Sequence, residues 1–172
     1  MPENVDRLFL EFSAKKLGQL AGRITECLGR LSEEQVWARG SDNENAVGNL
    51  VLHLCGNLRQ WIGFGVAGKP DIRVRDQEFA ARGGITVAEL SERLKATVQE
   101  VADTLKNLPT ERLVQRTKIQ SYEILVLEAI FHVVEHFAQH TGQIIFATKM
   151  LTGDDLGFYK HLGKPAHQEK TP

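Results

Sequence analysis

Residues Ser121 to Leu151 read SYEILVLEAIFHVVEHFAQHTGQIIFATKML, without a proline and with Gly142 as the one internal glycine. The stretch is apolar enough to run as one long buried helix, and that expectation organises the rest of the chain. His132, His136 and His140 recur within it at four-residue spacing. At about 100° per residue, a step of four turns a side chain only about 40° around the axis. With His136 as the reference direction, Leu125, Ala129, Val133, His140, Gln143 and Ala147 share one inward stripe, and His132 lies at its edge. An imidazole facing a packed core must find a partner or cost a few kcal/mol. A metal ion satisfies that need, so the helix reads as half of a metal site.

The composition belongs to an ordinary globular protein: 172 residues, 42% hydrophobic and 25% charged. A formal net charge of −1 and the absence of a basic run give no electrostatic case for nucleic acid. No segment reaches the roughly 18 uninterrupted apolar residues of a membrane span. The opening MPENVDRLFL is charged and lacks the apolar core of a secretory signal, so the expected address is the cytoplasm. Cys27 and Cys55 sit inside apolar helical patterns with no CxxC pair, which favours buried thiols over a disulfide or a thiolate zinc site.

Apolar residues at Leu10, Leu17, Leu20, Ile24, Leu28 and Leu31 follow helical steps and predict a first helix from about Asn4 to Leu31. Ser32 and Gln35 have capping-box spacing before a short helix, and Arg39 to Asn43 is turn chemistry. A second long helix is expected from about Asn45 to Val66, with Asn49, His53 and Asn57 stacked at four-residue intervals beside Leu50, Trp61 and Phe64. That face is buried but not wholly dry. Cys55 projects about 200° away from His53 on a straight helix and cannot share an ion with it. Residues 67–84, AGKPDIRVRDQEFAARGG, form the longest irregular stretch, either a functional rim or a solvated linker. Thr86 and Glu89 cap a third long helix with an apolar stripe from Val87 to Leu108, and Pro109 ends it. Thr110 to Gln120 reads as a polar, extended crossover. No strand pattern competes with the helices.

These elements predict an all-α fold: an antiparallel four-helix bundle with long connections, one domain over 1–155, and a C-terminal tail over 156–172. His161 and His167 fall in that tail, where an exposed role is expected. Within the bundle, two histidines one helical turn apart can both reach one ion. Extending the run to His132 would span about 12 Å at 1.5 Å per residue, too long for a single ion held at about 2.0–2.1 Å per nitrogen. His53, on the inward face of a different helix, closes the geometry better. The expected ligands are therefore His53, His136 and His140, with His132 a neighbouring or capping histidine. The competing reading is a set of hydrogen-bonded core histidines.

The string His136-Phe137-Ala138-Gln139-His140-Thr141-Gly142-Gln143 resembles the last-helix signature of the DinB/YfiT-like superfamily, and Asn49 to Asn57 is similar to its first-ligand region. The resemblance covers about Val5 to Leu151. It implies a four-helix bundle, often dimeric, with a divalent metal on three histidines, and His53, His136 and His140 fall on those positions. Many members carry a further histidine before the last ligand, where this chain has Gln139.

Three neutral imidazoles leave coordination positions open, the pattern of a catalytic site, and both zinc and nickel suit them. The resemblance implies several activities: some relatives transfer low-molecular-weight thiols to electrophiles, others resemble metal-dependent isomerases or hydrolases, and many have no assigned reaction. The expected function is a metal-dependent enzyme with a small-molecule substrate, a thiol S-transferase acting on small electrophiles. The alternatives are a non-catalytic metal-binding or stress-associated bundle and a helical interaction protein. Gln143 is the best candidate to orient a ligand, followed by Asn57, with Glu128 and Glu135 also considered; for Glu135 a solvated role is expected.

Overall fold

The computed structural model describes residues 4–160. His161 and His167 lie outside the described residues.

Helix α1, Val5–Leu28, starts where the Asn4 side chain accepts from the backbone N–H groups of Asp6 and Arg7, and it buries Leu10, Leu17, Ala21, Ile24 and Leu28. The four-residue α2, Glu33–Val36, begins with a complete Ser32–Gln35 capping box. Helix α3, Val47–Leu58, continues as a π-helix over Arg59–Val66. Its first turn is held by Asn49, whose Oδ1 accepts from the Ala46 N–H at 3.1 Å. Part of the stretch expected to be irregular is helical, as α4 over Arg75–Ala80. Helix α5, Val87–Asn107, carries the Thr86–Glu89 box and buries Leu90, Leu94, Val98, Val101 and Leu105.

The expectation that no strands compete is corrected between α5 and the last helix. A 3₁₀ turn at Thr110–Val114 leads into β1, Arg116–Ile119, and β2, Tyr122–Leu125, which pair antiparallel with Arg116 opposite Leu125 and Ile119 opposite Tyr122. The β-branched residues Thr117, Ile119 and Ile124 favour this hairpin, and Gln120 at φ 55° makes its turn. Gly65 supplies the seat: a Cβ there would overlap Ile119 Cδ1. Helix α6 therefore runs over Val126–Thr152 rather than from Ser121, and it stops at Gly153 in the left-handed conformation.

α1 packs on α5 and α6, and α3 packs on the same two helices, giving a helical bundle around one apolar core. Along α3 and its π extension, His53 meets His136 whereas Trp61, further on, meets His132, so this pair runs in opposite directions. α1 and α6 end together: Cys27 hydrogen-bonds Thr148, and Arg30 pairs with Asp154. Beyond α6 the chain folds back, with Leu156 buried and Phe158 against the core. Among the described residues, no helix is long and apolar enough to cross a membrane.

The inward face of α6 is not centred on His136. Its buried residues are Val126, Ala129, Ile130, Val133, Phe137, Thr141, Ile144 and Thr148, a stripe whose middle lies about 90° around the axis from His136. His132, His136 and His140 are half-buried on the flank of that stripe, and Gln143 is exposed. His132 and His136 consequently face a cleft beside the core.

A candidate three-histidine metal centre

Two helices and one strap build the site. α3 contributes His53, buried at 6% exposure, and α6 contributes His136 and His140. His53 Nε2 lies 3.1 Å from His136 Nε2, and His140 Nε2 lies 3.2 Å from the same atom. One ring nitrogen from each of the three lies within 4.8 Å of the others. Nitrogens held tetrahedrally at about 2.0–2.1 Å from one ion sit about 3.3 Å apart, so the two short separations suit a shared cation.

The outward nitrogens sharpen this test. His53 Nδ1 is 3.1 Å from Glu78 Oε2, and His140 Nδ1 is 2.7 Å from Gln143 Oε1. Gln143 Oε1 is an acceptor, which assigns the proton of His140 to Nδ1. His53 Nδ1 lies between an acceptor, Glu78 Oε2, and a donor, Arg73 Nη2 at 3.0 Å, and it donates to Glu78 in the tautomer that leaves its Nε2 lone pair aimed at the common point. His136 Nδ1 is buried with no partner, so that ring's polar contacts all lie at the meeting point. Burial, reinforced by the charges of His140, His53, His132 and Arg73, pushes the His136 imidazole down to about 3. Burial also lowers His140, against a smaller upward pull from the Gln143 hydrogen bond. A histidine ligand must be neutral, and these surroundings keep it so.

Sequence reasoning left this strap open, as functional rim or solvated linker, and named none of its side chains. Residues 69–81 cross the outer side of α3, and Glu78 lies there with Arg73, whose side chain is 4% exposed. Arg73 Nε and Nη2 donate to the two Glu78 oxygens at 2.8 Å each, and Nη1 donates to Gln60 Oε1 at 2.9 Å. Burial alone would push the Glu78 carboxyl up, but hydrogen bonds and charge from Arg73 and His53 outweigh it and hold it below its ordinary range. The result is a carboxylate–histidine pair of the kind that fixes the tautomer of a metal ligand. Asn49 Nδ2 donates to the Glu78 and Ala81 carbonyls at 2.8 and 2.9 Å. Arg39 Nη2 donates to the Phe79 and Ala81 carbonyls at 3.0 and 3.1 Å, and also to Asn49 Oδ1. The available signal was Gly56, a glycine inside a helix between His53 and Asn57, where backbone must be approached closely.

The other named residues separate. Asn57 is buried and lines the cleft, a space of about 480 Å³ bounded also by His53, Trp61, Arg73, Arg75 and Tyr122. His132 lines it too and stacks on Trp61 with ring centres 4.1 Å apart; burial lowers its basicity, partly opposed by Glu135. Glu128 borders the cleft, but its Oε2 accepts from the Leu125 N–H at 2.7 Å and so caps α6. Glu135 is exposed.

The centre also makes stability depend on pH. The folded His136 value lies below that of a free imidazole, about 6.5. The unfolded chain therefore takes up a proton first, and stability is complete above about 6.5 and falls with acidification towards about 3. Glu78, also held low, adds a second loss below the ordinary carboxylate range. The melting temperature of metal-free protein is expected to drop between pH 7 and 5, and His136→Gln to flatten that drop. A flat wild-type profile would contradict this account.

The fold and the three-histidine cluster define a helical-bundle protein with a candidate metal centre. Residues 4–164 match the model of the family described as "Protein of unknown function (DUF1572)". The chain belongs to that family. No curated protein matches it. Among solved structures it is similar to "Crystal structure of the conserved protein of locus from Enterococcus faecalis", with a TM-score of 0.66 and 16% identity over 83% of this chain and 96% of that one. The likeness is one of fold.

Proposed function

We propose that the chain is a divalent-metal-dependent enzyme of the DinB/YfiT-like kind, with α1, α3, α5 and α6 as the four rods of a single bundle. His53, His136 and His140 hold the ion, zinc or nickel, and the activity is transfer of a low-molecular-weight thiol to small electrophiles. The observation that carries the reading is the aim of the imidazoles: three Nε2 atoms converge while two Nδ1 atoms are held from behind by Glu78 and Gln143. An ion on three imidazoles has open positions and, when bound, supplies the Lewis acidity that makes a thiol or water nucleophilic at neutral pH. His53 is kept in its tautomer by Glu78, and His140 by Gln143. The cleft beside them, with aromatic walls at Trp61, His132 and Tyr122, has the size of a small-molecule site.

The same reading makes the protein cytoplasmic and homodimeric, without nucleic-acid or membrane partners. Exposed Leu8 and Phe12 on α1 and Leu127 and Phe131 on α6 offer apolar surface for a second copy.

The test is elemental analysis of purified protein, followed by turnover with a panel of cellular thiols and small electrophiles. One equivalent of metal and a rate lost in His53→Ala are expected. Metal without a histidine-dependent rate would reduce the protein to a non-catalytic metal-binding bundle. Absence of stoichiometric metal would leave core histidines only.

A further inference from the structure

The cleft holds one cation with no carboxylate partner among the described residues. Of the charged groups lining it, Arg73 is consumed by Glu78, and Glu128 is engaged at the start of α6. Arg75 remains. Its guanidinium lies over the Phe79 ring at 4.8 Å, and among the described residues it has no carboxylate partner. Phe79 in turn packs against His53, with ring centres 4.8 Å apart. Phe79 therefore touches both the guanidinium and the metal-site imidazole, the two rings tilted at 41°. Two steps of 4.8 Å bound the distance from Arg75 to the His53 ring.

Contact with the Phe79 ring restrains an exposed side chain that would otherwise lose much rotamer entropy on binding a ligand. The charge balance points the same way. With Arg73 and Glu78 cancelling, and Arg75 offset at a distance by Glu128, a divalent ion would leave the cleft net positive. An uncommitted guanidinium in such a cleft matches a carboxylate, which it can bind through two parallel hydrogen bonds. Trp61, Tyr122 and Ile124 also line the cleft and suit a short carbon skeleton.

We propose that the cleft takes a carboxylate-bearing small molecule, with Arg75 binding the carboxylate and the rest of the molecule extending to the three-histidine centre. The assignment rests on the metal-enzyme reading above and names its substrate class. Arg75 is a specificity residue: it selects for charge at the far end of the ligand and leaves the metal ligands untouched.

Calorimetry on zinc-loaded protein tests it, with succinate, propionate and succinamide as probes. Succinate can engage both ends, propionate one, and succinamide carries no charge. Wild type is expected to bind succinate about tenfold more tightly than propionate, as one charge-assisted hydrogen-bonded contact would give, and succinamide more weakly than either. Arg75→Gln should erase the preference for succinate while zinc content stays unchanged. Arg75→Lys should restore part of it. Equal binding of succinate and propionate by wild type, or a preference surviving in Arg75→Gln, would overturn the assignment with the metal reading intact. Protein that retains no zinc would overturn both, and elemental analysis of the same sample tells the two failures apart.

Discussion

Alanine at His136 is expected to abolish stoichiometric metal binding while leaving the bundle folded. His136 Nε2 is the atom shared by both short contacts, to His53 at 3.1 Å and to His140 at 3.2 Å. Without it the remaining rings no longer enclose a point. Structural zinc sites bind with about 10–16 kcal/mol distributed over their ligands. Loss of one of three imidazoles should therefore cost about 4 kcal/mol, on the order of a thousandfold in Kd. Folding should suffer little, because His136 is half-buried on the flank of α6 and its Nδ1 has no partner to lose. Glu135→Ala, one residue away and exposed, serves as the control and should bind metal as wild type does. Competition against a chromophoric chelator measures both. An unchanged affinity in His136→Ala would show that the three rings are a hydrogen-bonded cluster and nothing more.

The helical framework was legible because it rests on period and punctuation. The capping boxes at Ser32 and Thr86 stand at the expected residues, and the stripe from Leu90 to Leu105 is buried as its spacing implied. The hairpin was not legible, since four-residue strands are too short for alternation to emerge and β1 carries Arg116 and Lys118 among its residues. The orientation of α6 went wrong for a different reason. Centring the inward face on His136 made polar residues define the core, whereas Phe137, Val133 and Ile144 define it, and the histidines sit a quarter turn away.

The cluster could still be named from sequence, because His53, His136 and His140 belong to regular helices whose periodicity fixes relative direction. Arg73, Arg75 and Glu78 could not. They come from a segment without a long repeating pattern, and its path is set by contacts far away in sequence, from Arg39 and Asn49 to the carbonyls of Phe79 and Ala81. Spacing carries no information about such contacts.

The strap's dependence on one missing side chain yields the second large effect, Gly56→Ala. Helix propensity alone predicts a gain, since alanine is better than glycine in a helix interior by about 1 kcal/mol. The local geometry predicts the opposite. A Cβ at position 56 would overlap the Glu78 carboxylate and stand 2.9 Å from Arg73 Nε. An unrestrained glutamate would swing aside, but this one is held by two Arg73 nitrogens and by His53. Moving it breaks a buried ion pair, a loss of about 3–5 kcal/mol, which exceeds the propensity gain. The expected net is destabilisation of about 2–4 kcal/mol. Metal affinity should fall by about 10–100-fold, as His53 loses the acceptor on its Nδ1. Glu78→Gln keeps the side chain's size and removes its charge, so it too leaves the buried Arg73 guanidinium unpaired and should lower stability and metal affinity together, as Gly56→Ala does. Paired melting and chelator-competition measurements decide the matter. If Gly56→Ala proves more stable than wild type and binds metal equally well, the strap is a passive covering and Glu78 has no part in holding His53.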